Sequence, residues 1–216
     1  MSTRTTVLLS LALVLLAVIL SLSVYGGLPL QMASHWNLND QVDGYLPRFW
    51  GAFLMPMLTL GLLGLLMLVP RIDPLKANIA AFRNAYNLFV LLTVVFLAYL
   101  HALIVAWNLG WNHFRLSAAL LPAVGLLLIC LGVLLRNVKR NYFIGIRTPW
   151  TLSSDSVWEQ THALGSKLFI GCGLLSLLGA FLGGATALVF MLIPLLGCTL
   201  FLVFYSYQLY RRESRI

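Results

Sequence analysis

Three side chains between residues 26 and 49 are of types that bind metal ions or transfer protons: His35, Asp40 and Asp43. Imidazole nitrogen and carboxylate oxygen suit zinc or a similar ion, and a membrane enzyme with an outer-face site would draw on the same set. Both aspartates also lie in turn-forming sequence. Three interpretations stay open: a metal site, hydrogen bonds from His35 and Asp43 to the loop backbone, or contact with an external peptide. We expect no resident metal and no cofactor.

A second set of such residues lies in the polar stretch Asn141–Lys167, where Arg147-Thr148-Pro149-Trp150 forms a charged, aromatic corner. The forked guanidinium of Arg147 suits a carboxylate or a phosphate, and Asp155 and Glu159 are predicted as its internal partners. His162 follows Glu159 by three residues, on the same side of a helix. The set forms either a self-contained network that fixes the shape of the segment or a surface that binds a cytosolic protein. No activated nucleophile or phosphate-cradling glycine loop accompanies it, so we expect no enzyme.

His101 is the one ionisable residue well inside an apolar run. An ionisable side chain at that depth is a functional candidate. A neutral histidine can also simply bond a facing helix, for about 0.6 kcal/mol. No second ionisable group lies at comparable depth, which argues against a proton relay or a coupled transporter.

The elements that carry these residues are predicted to lie in a membrane. Of the 216 residues, 61% are hydrophobic and 9% are charged, against about 25% charged in soluble domains. One crossing needs about 20 apolar residues, so the last run below is predicted to cross twice, with a turn at Gly183-Gly184. The sequence therefore predicts an all-α protein with six transmembrane helices. Its apolar runs are Val7–Tyr25, Trp50–Val69, Leu88–Trp107, Leu116–Leu135 and Leu168–Leu209.

The lysines and arginines predict the orientation. With both termini in the cytoplasm, all of the 14 lie on the inner side except Arg48 and Arg115, as the positive-inside rule requires. The charge then anchors the topology and contacts anionic lipid, and its spread over four segments argues against direct nucleic-acid binding. The first run also resembles a signal peptide; we favour an uncleaved anchor.

The connecting segments contain local structural signals. The first outer segment has turn formers that predict a short hairpin or an irregular cap, with Trp36 and Tyr45 at headgroup depth. Asp73-Pro74 predicts the start of a short interfacial helix. Asn141–Trp150 is predicted to be extended, with Pro149 breaking any helix. Ser153 or Ser154 then caps a helix that lengthens the short fifth span.

The stretches NYFIGIRTPWT (141–151) and VWEQTHALGSK (157–167) resemble the SdpI family, immunity proteins against sporulation-delaying-protein toxins. The first outer segment, LPLQMASHWNLNDQVDGY, resembles the N-terminal module of that family, although Asp40 stands near where a glycine is common. The resemblance implies an inner-membrane protein that protects the cell from a secreted toxin, and in some members captures a cytosolic repressor. The implied contact residues are His35, Trp36, Asn37, Asp43, Tyr45, Asn141, Gly145, Arg147, Thr148, Pro149, Trp150, Trp158 and His162.

We expect one membrane domain in three parts: residues 1–69 with the outer His-Trp-Asn segment, residues 70–135 with spans three and four, and residues 136–216 with the inner stretch and the last two spans. Two rival functions stay open beside immunity. An exporter or channel predicts a polar path through the spans, and a membrane enzyme predicts an activated cluster at the outer face.

Overall fold

The computed structural model describes residues 1–182 and 184–214, and six of its helices are long and apolar enough to cross a membrane. The six predicted spans are therefore confirmed. The fifth is lengthened at its start as predicted, and of the predicted turn residues Gly183 lies outside the described part while Gly184 begins the last helix. The six are α1 (Thr3–Val24), α2 (Arg48–Ile72), α4 (Arg83–Asn108), α5 (Leu116–Leu135), α7 (Asp155–Leu182) and α8 (Gly184–Glu213).

Short elements close the two ends of the bundle. Strands β1 (Gln31–Trp36) and β2 (Val42–Pro47) form an antiparallel hairpin between α1 and α2, as the turn formers predicted. At the other end, α3 (Lys76–Ala81) joins α2 to α4, and α6 (Pro149–Ser153) lies between α5 and α7. We call these the hairpin end and the connection end. Which of the two faces the cytoplasm stays a prediction, as does the division into three parts.

The spans pack in two groups of three. Helices α1, α2 and α4 pack on one another, and α5 packs closely on α7, which packs on α8. We call these the N-terminal and C-terminal trios. Polar residues of α1 such as Ser10 and Ser21 are fully buried between helices, whereas Leu16 is 60% exposed. That distribution suits a lipid-facing surface, since lipid tails are as apolar as leucine and small residues favour close helix contact.

Glycines bring α5 and α7 into direct backbone contact. A side chain on Gly125 would lie 2.9 Å from the carbonyl oxygen of Gly173, and one on Gly132 would lie 2.8 Å from that of Ser166. Larger residues would force the helices apart, so these positions fix the position of α7 against α5. Gly125 and Gly132 are therefore sites of close helix packing. Gly61, Gly64 and Gly171 face open space instead.

The start of α6 corrects one prediction. Pro149 was expected to break any helix, yet it begins α6, because Thr148 accepts a hydrogen bond from Thr151 N–H at 3.1 Å and caps the helix. Proline suits the first helical position, where no N–H is needed. Residues 141–148 contain no helix, as predicted, but residues 142–145 bend instead of being extended. Ser154 then accepts from Val157 N–H at 3.2 Å at the start of α7, which confirms the predicted serine cap.

Candidate functional site

His35 and Asp43 lie side by side on the hairpin and bond each other. His35 Nδ1 lies 2.5 Å from Asp43 Oδ1, so the expected bonds from these side chains to the loop backbone are wrong. The pairing follows from the register, in which His35 faces Gly44. A side chain on Gly44 would lie 2.8 Å from His35 Cβ, so glycine permits the close approach. Both partners remain exposed, with 71% and 44% of their side-chain surfaces accessible.

The tip of the hairpin is shaped by Asn37. Its side-chain oxygen accepts from the N–H groups of Asn39 at 2.9 Å and Gln41 at 3.1 Å. Asp40 follows in the left-handed region with φ of 59°, where glycine is the easiest residue to place. The family-like glycine position and the backbone geometry therefore agree, although aspartate occupies the site here.

Asp40 has a second role that the sequence did not reveal. Its carboxylate accepts from Ser117 N–H at 2.8 Å and from the Ser117 hydroxyl at 2.6 Å. Ser117 lies in the first turn of α5, whose own cap residue, Arg115, provides no side-chain bond. A carboxylate suits the positive end of a helix. The hairpin thus caps α5 from outside and links the two trios.

The other side of the hairpin is held by α4. The Asn108 amide accepts from Ala33 N–H at 2.8 Å and donates to Ala33 O at 3.0 Å, which satisfies the edge of β1 as a neighbouring strand would. The Trp36 ring packs edge-on against Trp107, with centroids 5.5 Å apart. Tyr45 remains outside this contact and is 59% exposed.

His101 joins three helices of the N-terminal trio. Ser21 Oγ donates to Ala52 O at 2.6 Å, and His101 Nε2 lies 3.0 Å from the same hydroxyl and 3.2 Å from Ala17 O. The hydroxyl proton is used on Ala52, so Nε2 carries a proton and donates. The contact with facing helices that was one of the two predicted roles of His101 is therefore present.

At the connection end, Asn141 organises the α5–α7 connection, residues 136–154. It is fully buried. Its oxygen accepts from the N–H groups of Phe143 at 2.9 Å and Ile144 at 2.7 Å, and its nitrogen donates to the carbonyls of Lys139 and Ile144. All four bonding positions of the amide are used, so Asn141 fixes the backbone and is not free to contact a partner.

Gly145, Trp158 and His162 form a buried stack. The Trp158 and His162 rings lie parallel with centroids 4.0 Å apart. His162 Nδ1 donates to Trp158 O at 2.8 Å, and Nε2 accepts from Ile146 N–H at 3.0 Å. Both ring nitrogens are thus used in a neutral tautomer. Gly145, with φ of 115°, lies against both rings.

The charged residues of the connection pair differently from the prediction. Asp155 pairs with Arg140 at 2.7 Å and Glu159 with Lys139 at 2.9 Å, so neither is the partner of Arg147, and His162 does not bond Glu159. Lys139 and Arg140 come before residues 141–148 in the chain, and they lie nearer than Arg147 to the start of α7. Arg147 instead donates to Tyr142 O at 2.7 Å and stays exposed.

Two residues of the α2–α4 connection, which the sequence did not single out as site residues, complete this end. Asp73 is 2% exposed, and it accepts from Leu75 N–H at 2.6 Å and from Tyr142 N–H at 2.9 Å. Asn78 donates to Arg140 O at 2.8 Å. These bonds join the two trios at the connection end. Asp73-Pro74 signalled a helix start, but no local signal pointed to contacts so distant along the chain.

α8 is tied to the connection through Thr148 and Trp150. The Thr148 hydroxyl lies 3.1 Å from that of Ser206, and the Trp150 ring lies 5.1 Å from that of Tyr207. The predicted contact residues therefore divide by exposure. Asn141, Thr148, Trp158 and His162 are buried within the connection, whereas Arg147 and Pro149 face outward with Tyr142 and Phe143, and Trp150 is half-buried.

Metal binding finds little support in this arrangement. Across residues 1–182 and 184–214, no three His, Cys, Asp or Glu side chains come together in a way that would hold an ion. In the hairpin, Asp40 bonds Ser117 while His35 and Asp43 bond each other, so the three sequence candidates do not converge.

Two stretches of the chain match profiles of known protein families or domains. Residues 137–207, which hold the α5–α7 connection and most of the last two spans, match the profile described as the SdpI/YfhL protein family. This part of the chain is therefore similar to that family. Residues 12–60, which contain the hairpin, match a second profile, described as a domain of unknown function (DUF1648).

A full-length relative extends that match. The chain is 24% identical over 204 residues to the Immunity protein SdpI of Bacillus subtilis (strain 168), covering 94% of this chain and 95% of the relative. No solved structure matches it. With the six spanning helices, these findings make the chain a multi-pass bacterial membrane protein.

Proposed function

We propose that this chain gives a bacterium immunity to an antimicrobial peptide or protein toxin. The observation that carries the proposal is the match to an immunity protein along nearly the whole length of both chains. A shared segment alone would indicate a shared module, whereas a match over 94% of this chain includes both ends of the bundle.

The hairpin is our candidate for the toxin-contacting surface. Asn108 of α4 bonds it on one side, and its own Asp40 bonds Ser117 of α5 on the other. The outer residues of the hairpin are therefore attached to a fixed backbone. Tyr45 and Leu38 are 59% and 63% exposed, beside the exposed His35–Asp43 pair. An exposed aromatic on a held backbone is a favourable contact for a protein partner, because little entropy is lost on binding.

The opposite end is our candidate for signalling, by capture of a cytosolic transcriptional repressor. Tyr142, Phe143, Arg147 and Pro149 face outward on a connection whose backbone is fixed by buried bonds. We call these four residues the outward surface. Aromatic and arginine side chains are enriched where proteins bind one another. Signalling requires that the toxin favour one of two arrangements of this surface.

The immunity proposal is tested by survival. The full chain is expressed in a sensitive bacterium and challenged with a panel of secreted peptide toxins and with bilayer-active small compounds. We expect protection against one toxin class, and loss of that protection in Tyr45→Ala at an unchanged membrane level. Thr199→Ala is the matched control, since its exposed hydroxyl bonds only Leu195 O in its own helix. Protection against many unrelated compounds would indicate export instead.

The signalling proposal needs a separate assay. A reporter driven by the chain's own promoter is measured with and without toxin in the bacterium of origin. We expect Arg147→Ala with Tyr142→Ala to abolish induction and to spare survival, because the outward surface lies away from the hairpin. Gln160→Ala, an exposed change on α7, serves as the control. Full induction in the double variant would remove the outward surface from the proposal.

A further inference from the structure

Two cavities lie next to each other at the connection end, between α4 of the N-terminal trio and α5 of the C-terminal trio. One has a volume of about 180 Å³ and is lined by apolar groups that include Phe89, Leu131 and Ile144. The other has a volume of about 750 Å³ and reaches the charged rim of the bundle. They share Phe82, Ala85 and Leu134 as lining residues and so lie side by side; we call the pair the groove, with the apolar cavity as its floor and the polar cavity as its mouth.

The mouth of this groove is cationic. Arg83, Arg136 and Lys139 line it. The Arg83 guanidinium lies 5.9 Å from the centre of the Tyr86 ring, and Tyr86 itself lines the apolar floor. A positive charge that lines the polar cavity therefore stands beside a ring that lines the apolar one.

The acidic residues at this end are already engaged elsewhere. Lys139 is paired with Glu159, but within the described residues neither Arg83 nor Arg136 has a carboxylate partner. The chain has six acidic residues, two of them in the hairpin. The other four are bonded at the connection end: Asp73 to backbone N–H groups, Asp155 to Arg140, Glu159 to Lys139 and Glu213 to Ser154. No carboxylate side chain at this end is left for the mouth of the groove, which therefore suits an anion from another molecule.

We propose that the groove binds one anionic phospholipid, with its phosphate between Arg83 and Arg136 and part of an acyl chain in the apolar cavity. An apolar cavity of about 150 Å³ is known to stay dry and to accept hydrocarbon, so the floor favours a lipid tail over water. Basic pockets between spanning helices hold anionic headgroups. A free phosphate would use the mouth but leave the floor empty.

The rest of the contact between the trios supports the proposal. A further cavity of about 240 Å³ lies between α4 and α5, lined by apolar side chains such as Val95 and Leu126, with Tyr99 at its edge. The two trios are thus loosely packed along α4 and α5, in contrast to the glycine contact between α5 and α7. A lipid chain that lies in this gap replaces missing packing between the trios.

Native mass spectrometry of the full chain in a neutral detergent tests the site. The protein is titrated with phosphatidylglycerol and with phosphatidylcholine of the same acyl chains. We expect phosphatidylglycerol to bind more tightly. Near a membrane each cation contributes about a fivefold factor in affinity, so Arg83→Gln with Arg136→Gln should weaken phosphatidylglycerol about 25-fold and leave phosphatidylcholine unchanged.

Two further variants separate the site from surface charge. Arg71→Gln with Lys76→Gln removes the same charge at the same end, from exposed residues outside the groove, and should leave phosphatidylglycerol binding intact. Leu131→Trp fills the floor and should weaken phosphatidylglycerol while the cations remain; Leu131→Phe replaces it if the unfolding midpoint without lipid falls. Equal loss in the charge control, equal binding of the two lipids, or no effect of filling the floor would each overturn the proposal.

Discussion

Replacing Gly145 by alanine tests the stack at the core of the α5–α7 connection. Gly145 has φ of 115°, a region that side-chain-bearing residues rarely adopt and that costs them about 1–3 kcal/mol. The added Cβ would also collide with His162 Nε2 and lie 3.2 Å from Trp158 ring carbons. The rings are locked by hydrogen bonds to Val138 O and Trp158 O, so neither can move aside without losing a bond.

The expected loss is large for so small a change. Forcing a methyl group into a packed site costs about 1–3 kcal/mol, so with the backbone strain the free energy of unfolding should fall by about 2–6 kcal/mol. A change of 1 kcal/mol moves the midpoint of a chain this long by about 2–4 °C. We therefore expect the thermal midpoint of Gly145→Ala to lie about 5–20 °C below that of the unmodified protein.

The assay is thermal unfolding in detergent, followed by tryptophan fluorescence. Gly171→Ala is the control with the opposite sign, because Gly171 lies inside α7 with no atom within 4 Å of an added Cβ. It should gain about 0.5–1 kcal/mol, the usual advantage of alanine in a helix interior. A double variant of Gly145→Ala with His162→Ala should show favourable coupling, since the collision is removed. An unchanged midpoint for Gly145→Ala alone would refute the reasoning.

Three other expectations concern the polar contacts between elements. Asp40→Ala leaves Ser117 without its acceptor and should cost about 1–3 kcal/mol, visible as faster hydrogen exchange at the start of α5. Asn108→Ala releases the edge of β1, so limited proteolysis should cut the hairpin faster, at a cost of about 1–2 kcal/mol. Ser21→Ala removes the hydroxyl beside His101. It should lower the free energy of unfolding by about 0.6 kcal/mol, and at most by about 1.7 kcal/mol, and the unfolding midpoint should fall accordingly.

Thr199→Ala is the common control for these variants, since it too deletes a side-chain hydrogen bond but one made within a single helix. It should leave exchange, proteolysis and the midpoint nearly unchanged. Unaltered exchange in α5 for Asp40→Ala would mean that the hairpin does not hold that helix in solution. Faster proteolysis of the hairpin in Ser21→Ala than in Asn108→Ala would contradict the role assigned to Asn108 in holding β1.

The spans were predictable because the signal for them is local. Each apolar run needs only its own residues to be recognised, and the first four spanning helices begin within five residues of the predicted runs. Helix α7 begins earlier, at Asp155, because the polar stretch before Leu168 extends it. The serine cap of α7 is local in the same way, since Ser154 bonds Val157 three residues later. The start of α6 at Pro149 was missed even though its signal is also local, because proline was treated as a breaker rather than as a first helical residue.

The partners of the site residues were not predictable, because they depend on which helices lie together. Arg147 and Asp155 are close along the chain, and nothing in their spacing excluded an ion pair between them. Asp155 pairs with Arg140 instead, because the turn at Asn141 brings Arg140 back to the start of α7. The sequence correctly placed Asp40 in a turn but did not reveal its contact with α5. Its bond to Ser117 spans 77 residues, a distance over which sequence spacing carries no information.

These long-range bonds define a physical route between the two ends of the bundle. The hairpin is bonded to the first turn of α5 through Asp40. Helix α5 is fixed to α7 by backbone contacts at Gly125 and Gly132, and α7 carries the rings on which the connection folds. Helix packing of this kind moves as a unit and not residue by residue. We therefore expect a displacement of the hairpin to reach the outward surface through α5 and α7, while Asn108 passes it to α4 as well.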